Sequence, residues 1–396
     1  MKKSLILALI ASATLCFNGI VHADTSPAKK EWTFLTFLNG KNSLDSFGPT
    51  NLKQMEQVGS TDHLNVVVQW GSSTNATVKR MLIQKSADPT NVTSTVVQDL
   101  GDIDMGSWQN LRDFLIWGAK TYPAQHYFVN VWDHGGGWHT AMFNHGMKPQ
   151  DISWDEETGN HITTAQLGQA LREFSAAIGQ KIDVYGSDAC MMGMVEVGNE
   201  MSDSVTYSVG SEEVEPGAGW DYNALLTAWT SAPNPAPAEI AKYVVKTYVA
   251  SYEGGSNGNE QVTMSAFDLS KLADLNARIK ELGANIKAMG ATDKAKVNTA
   301  SNNTQRFSYN DYGDLTDFTS KLNGTGLFRD NSVSAVQAAA QAAILATDAT
   351  SSYPGAHGMS IWLPDSSTYT QYSATYKTLR FDLLTGWSDA LDSFNH

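Results

Sequence analysis

The chain has 396 residues, with 27 basic against 41 acidic side chains and a formal charge of −14. That length buries a sizeable core, as one large α/β domain or as two smaller ones. The acidic balance disfavours nucleic acid as a partner, because phosphate binding needs clustered Lys and Arg, while it suits a cationic substrate and equally the plain solubility of an exported protein.

The chain opens with a basic start, "MKK", an apolar run, "LILALIASATLCFNGIV", and "VHA" ending at Ala23. This order predicts a secretory signal peptide over residues 1–23. The apolar core is too short for a membrane anchor and is broken by Asn18 and Gly19. Cys16 follows Leu15 rather than a small residue, which argues against a lipid-anchored cysteine. The remainder, 24–396, lacks a long uninterrupted apolar run, so a secreted or periplasmic protein free of the membrane is expected, with a monomer as the default. Removal of 1–23 takes Lys2 and Lys3, leaving 25 basic against 41 acidic residues and a formal charge of −16. It also takes Cys16, so Cys190 is the sole thiol and no internal disulfide can form. A lone thiol in an oxidising compartment is either buried and inert or put to use.

In chain order, β-rich runs are legible at 32–38, 65–70, 78–85, 126–132, 182–186 and 205–213. Between them, "SWQNLRDFLIWGAKTYP" places Leu111, Phe114, Leu115 and Gly118 on one helical face. "TTAQLGQALREFSAAIG" reads as a helix capped by Thr163 or Thr164 and closed by Gly179. Strands alternating with helices imply an α/β fold with a parallel sheet covered on its faces. After the linker "TSAPNPAPAE" come helical stretches at about 238–253 and 269–297, with "VTMSAFDLS" as a strand between them; the region around 232–300 is taken as an elaboration of the same domain. An alanine-rich helix, "VSAVQAAAQAAILATDA", and a late strand, "HGMSIWLP", complete the chain.

In parallel sheets the working residues lie just beyond the carboxyl ends of the strands. His134, in "WDHGGGW", and Cys190, in "SDACMMG", both sit there. A thiolate attacks an acyl carbon when a nearby imidazole takes its proton, and neighbouring strands deliver both groups to one rim. The amides of Gly135 and Cys190 are the candidate oxyanion donors, and Gly135, Gly136 and Gly137 allow close backbone approach to a substrate. A helix expected from Met191 to about Met201 would add its positive end to the thiolate. Asp188 suits two readings: a carboxylate that binds a guanidinium bidentately, or the N-cap of that helix.

"WDHGGGW" and "SDACMMGMVEV" resemble the two signature segments of the clostripain-like cysteine peptidases. "FLNGKNSLDSFG", "SEEVEPGAGWDY", "YGDLTDF" and "HGMSIWLP" resemble further blocks of that family. The resemblance implies a caspase-like three-layer α/β/α sandwich with a mostly parallel central sheet. It also implies a cysteine endopeptidase that uses Cys190 as nucleophile and His134 as base, on protein or peptide substrates with Arg or Lys at P1. Asp188 would meet that P1 side chain, Asp221 is a weaker second pocket acid, and Glu212, Glu213 and Glu215 read as a solvated face. The run around Ser211 would offer backbone hydrogen bonds to an extended peptide.

The chemistry requires no cofactor, and calcium is left open, since some members of the family depend on it. Asp151, Asp155, Glu156 and Glu157 form an oxygen-rich loop without the spacing of an EF-hand. His139 and His145 do not amount to a zinc site, as there is no H-E-x-x-H and no second cysteine in 24–396; His357 reads as structural, and the G-x-S-x-G match at 254–258 falls in the Gly/Asn-rich turn "EGGSNGNE" rather than in a strand-to-helix serine elbow. Activation by a cut between His134 and Cys190, as in many members of the family, is poorly served by Lys148, which Pro149 follows, leaving Arg172, Lys181, a different protease or no cut at all. Two rival functions remain: a noncatalytic binding scaffold of the same fold, and a cell-wall transpeptidase or amidase.

Overall fold

The computed structural model describes residues 29–139, 151–232 and 234–395. The segment 1–23, including Cys16, and the positions of His145, Lys148 and Pro149 lie outside the described residues. The central sheet has nine strands: β1 (Lys30–Gly40), β2 (Leu64–Ser72), β3 (Thr77–Leu82), β4 (Thr95–Asp99), β5 (Ala124–Trp132), β6 (Ile182–Asp188), β7 (Val205–Gly210), β8 (Thr263–Asp268) and β9 (Ile344–Ala349). They lie side by side in the order β9, β8, β7, β6, β5, β1, β2, β3, β4. The middle strands β2, β1, β5, β6 and β7 are parallel. Both edges are antiparallel additions.

Helices flanking the sheet include α1 (Gly48–Val58), α2 (Trp108–Thr121), α3 (Thr164–Ile178), α4 (Val195–Met201), α5 (Tyr222–Ser231), α6 (Pro237–Tyr252) and α7 (Leu272–Ala288). Alternation along each strand sorts the apolar side chains between two cores. Trp32, Phe34, Val66, Val68, Phe128 and Val184 pack with α1, α5 and α6. Leu35, Phe37, Val67, Val129, Val131 and Tyr185 pack on the opposite face with α2, α3, α4 and α7. Burying each large apolar side chain contributes roughly 1.5–3 kcal/mol, so a one-residue slip in any central strand would be costly. The caspase-like α/β/α sandwich is the observed fold.

Several local signals act as read. Thr163 caps α3 in a capping box with Gln166, and Gly179 closes it in the left-handed conformation at φ 71°. Leu111, Phe114, Leu115 and Gly118 are all buried on α2. Two readings need correction. The alanine-rich helix stops at Ala343, and Ile344–Ala349 is β9, because an antiparallel partner in β8 satisfies its backbone. The stretch 269–297 is interrupted: α7 ends at Ala288, Met289 is extended and a new helix runs Ala291–Asn302. The late strand forms as read, over Ser360–Trp362, and pairs with Tyr312–Asp314 outside the central sheet.

Candidate active site

The parallel order changes direction at β1, with β2 added on one side and β5, β6 and β7 on the other. Ligand crevices form at such switch points, outside the carboxyl ends of the strands. Leu38 of β1 is in register with Trp132 of β5, and Trp132 with Asp188 of β6. The loops carrying Ser43, His134 and Cys190 therefore open on one rim.

His134 follows Asp133, a buried carboxyl held on both oxygens: Asn39 Nδ2 donates to Oδ2 at 2.7 Å and Asn42 Nδ2 to Oδ1 at 2.6 Å. The His134 backbone N–H donates to the same Oδ1 at 2.6 Å, which fixes the turn. The imidazole Nε2 lies 2.9 Å from Ser43 Oγ. Burial lowers the imidazole to about 4, so it is neutral at pH 7 and ready to accept a proton. Gly135 is required here, since a Cβ would fall 2.4 Å from the carbonyl oxygen of Cys190.

Cys190 lies on a turn rather than at a helix start. Met191 adopts φ 58°, and α4 begins only at Val195. The intervening amides bond across the rim instead, Met191 N–H to Glu213 O at 3.1 Å and Gly193 N–H to Ser211 O at 2.7 Å. The expected helix-end contribution to a thiolate is therefore absent. The sulfur accepts from the Glu215 N–H at 3.3 Å, and its S–H points at Glu215 O, 3.8 Å away. Burial pushes the Cys190 thiol up, opposed by the N–H groups of Glu215, Gly135 and Cys190 itself. The protonated thiol and the neutral imidazole line one cavity.

A cavity of about 90 Å³ is lined by His134, Cys190, Asp188, Glu215 and Leu44, among others, with no Lys or Arg among its described lining residues. Asp188 Oδ2 accepts from Tyr222 Oη at 2.6 Å and from the Trp220 N–H at 3.2 Å, so it caps no helix. Burial pushes its carboxyl up to about 6. Glu215 is the residue that sequence reasoning missed. Both of its carboxyl oxygens are shielded from solvent, with the Ala189 N–H and the Asp188 carboxyl beside them. Burial, then repulsion from Asp188 and Cys190, holds it well above the usual carboxylate range. Two shielded carboxyls face one cavity without a cation, an arrangement that favours a positively charged guest.

The other site candidates have local roles. Asp221 caps α5, its Oδ1 accepting from the Ala224 N–H at 2.9 Å, while Ser256 Oγ donates to Oδ2 at 2.5 Å; it does not line the cavity. Ser211 is buried, with its hydroxyl 2.9 Å from Thr263 Oγ1 and its carbonyl taken by Gly193. Glu212 and Glu213 are buried rather than solvated: Glu212 Oε2 accepts from the Gly358 N–H at 2.9 Å and Glu213 Oε1 from the Ser308 N–H at 3.1 Å. His139 is buried 2.7 Å from Asp311 Oδ2, and the His357 N–H donates to Asp314 at 2.6 Å. Arg172 lies within α3, its guanidinium bonded to Glu200 O at 3.0 Å, and the Lys181 ammonium donates to Ser202 O at 2.9 Å.

The oxygen-rich loop does not fit a calcium ion. The buried Lys41 ammonium stands 3.4 Å from Asp155 and 3.0 Å from Glu157 of that loop, and 2.5 Å from Asp102 outside it. The Asp151 backbone carbonyl accepts from the Gly136 N–H at 2.8 Å, and the Glu156 N–H donates to Lys41 O at 2.8 Å. No cluster suited to a metal ion occurs among the described residues.

The clostripain family profile, that of the C11 peptidases, matches residues 36–394. The chain belongs to the clostripain family. It is thus a clostripain-family cysteine peptidase, and both signature segments lie within the matched span. Among solved structures it is similar to a secreted C11 cysteine protease from Bacteroides thetaiotaomicron in complex with an irreversible peptide inhibitor. The identity is 21%, the TM-score 0.69, and the match covers 90% of this chain and 99% of that one. It is also similar to an inactive zymogen C11 protease from Parabacteroides distasonis, at 18% identity and TM-score 0.69, over 91% of this chain and 99% of that one. No curated protein matches this clostripain-family chain in sequence.

Proposed function

We propose that this protein is an exported cysteine endopeptidase that cleaves after Arg or Lys through Cys190 and His134. The observation that carries the specificity is the pair Asp188 and Glu215, two shielded carboxyls in the cavity that Cys190 also lines. A P1 guanidinium or ammonium entering there offsets the charge of Asp188, which offers it a charge-assisted hydrogen bond, while Glu215 stays protonated beside the pair. His134 removes the thiol proton as sulfur attacks the carbonyl carbon, and the oxyanion gathers donors from the Gly135 and Cys190 amides. The imidazolium protonates the leaving amine as the C–N bond breaks. Water, deprotonated by His134, then releases the acid from the thioester. Export is supported by the signal-peptide pattern of residues 1–23.

The test is hydrolysis of a fluorogenic peptide library by the purified chain beside Cys190→Ala, with and without calcium. Cleavage after Arg and Lys that vanishes in the variant is expected, with no change on adding calcium. Equal signals from both proteins, or hydrolysis confined to neutral P1 residues, would sink this reading. Transfer of the acyl group to an added amine in preference to water would replace it with the transpeptidase.

A further inference from the structure

Of the two imidazole nitrogens of His134, Nε2 is engaged and Nδ1 has no hydrogen-bond partner among the described residues. The partner of Nε2 is Ser43 Oγ, 2.9 Å away. In a neutral imidazole the nitrogen that donates a hydrogen bond fixes the other as the base. We propose that Ser43 is a positioning residue for the dyad: it accepts the Nε2–H of His134 and so holds the ring as the tautomer whose Nδ1 takes the Cys190 proton. This rests on the Cys190 and His134 reading above.

The placement of Ser43 is built rather than incidental. It follows Asn42, whose side chain bridges Asp133 Oδ1 at 2.6 Å and Trp154 O at 2.8 Å. Asn42 Oδ1 also accepts from the Leu44 N–H at 2.9 Å, folding the chain directly around Ser43. Asn39 repeats the link from the end of β1, donating to Asp133 Oδ2 at 2.7 Å and to Trp154 O at 2.9 Å. Asp133 in turn receives the His134 N–H. The serine and the histidine are thus tied to one buried carboxyl, and their separation is set from both sides. A hydroxyl serves better than a carboxylate in this role, because it orients the ring without raising its basicity, consistent with an imidazole that stays neutral.

Ser43 does not line the cavity, so its loss should act on turnover more than on binding. Ser43→Ala is expected to lower kcat by about five- to tenfold, the scale of one neutral hydrogen bond, with KM within about twofold. Ser43→Thr, which keeps the hydroxyl, should restore most of it. The decisive readout is independent of catalysis: 15N NMR of the histidine-labelled chain at neutral pH, with His134 assigned by His134→Gln. The expected result is an Nε2–H tautomer in the parent and in Ser43→Thr, and a mixture in Ser43→Ala. An Nδ1–H tautomer in the parent, or a tautomer and kcat both unmoved by Ser43→Ala, overturns the proposal. If every variant including Cys190→Ala cleaves equally, the peptidase reading fails while the tautomer result still decides the role of Ser43.

Discussion

Asp188 ties the proposed specificity to stability, because a carboxyl raised by burial destabilises the folded state once it ionises. In the unfolded chain it ionises near 3.8, whereas in the fold it holds its proton up to about 6. Over that window the folded state binds more protons than the unfolded one, so stability falls as pH rises. Asp188→Asn keeps an acceptor for the Tyr222 hydroxyl and removes the charge; it should melt higher than the parent at pH 7 and alike at pH 4, as read by calorimetry. The same change should cost at least about thirtyfold in kcat/KM on Arg substrates, the lower range for losing one partner of a buried charge pair. In the parent, kcat/KM on those substrates should rise with pH through about 6, as Asp188 gains the charge that binds a guanidinium, and the variant should lack that limb. Asp188 was legible in the sequence as a charged residue near the thiol, with two roles open. Glu215 was not, because its shielding depends on contact with Cys190, 25 positions earlier in the chain, and nothing in "SEEVEPGAGWDY" distinguishes a shielded acid from a solvated one.

Elements set how closely the two halves of the proposed dyad approach. The loop after β5 passes against the loop after β6 at Gly135, where a methyl group would lie 2.4 Å from Cys190 O and 3.0 Å from Ala189 Cβ. Gly135→Ala must push the two loops apart, at a cost of about 1–3 kcal/mol in stability. Since displacement by about an ångström at a reacting group costs on the order of a hundredfold in rate, activity should fall far more than stability. Thermal melting measured beside peptide turnover separates the two effects, and a fully active variant would show that the loops do not need this contact. The turn 190–194 makes the same point from the other side. Local sequence favoured a helix from Met191, but the amides of Met191 and Gly193 found carbonyls at Glu213 and Ser211, and these long-range bonds outweighed propensity.

At the scale of the molecule, the carboxy-terminal helices brace the face of the sheet opposite α1, α5 and α6. Trp387, on the helix Trp387–Asn395, is buried, packs edge-on against Phe318 and donates its indole N–H to Trp362 O at 3.1 Å. Trp362 in turn takes its backbone N–H to Glu196 on α4, the helix that follows the Cys190 turn. Trp387→Ala should therefore destabilise the fold by about 3–5 kcal/mol, measurable by denaturant unfolding. A loss below about 1 kcal/mol would show that this region is not part of the cooperative core.

Sequence alone determined the alternation that sorts apolar side chains to the two cores, the caps of α3, and the delivery of His134 and Cys190 to one rim. These follow from periodicity and from the ends of strands, both properties of short contiguous stretches. Only the tertiary structure decided that Ser43 meets the imidazole, that Glu215 joins Asp188, that Asp221 is a cap and that Lys41 occupies the acidic loop. Each depends on which distant backbone closes over a polar group, and the energy of burying that group is set by partners that no local stretch contains.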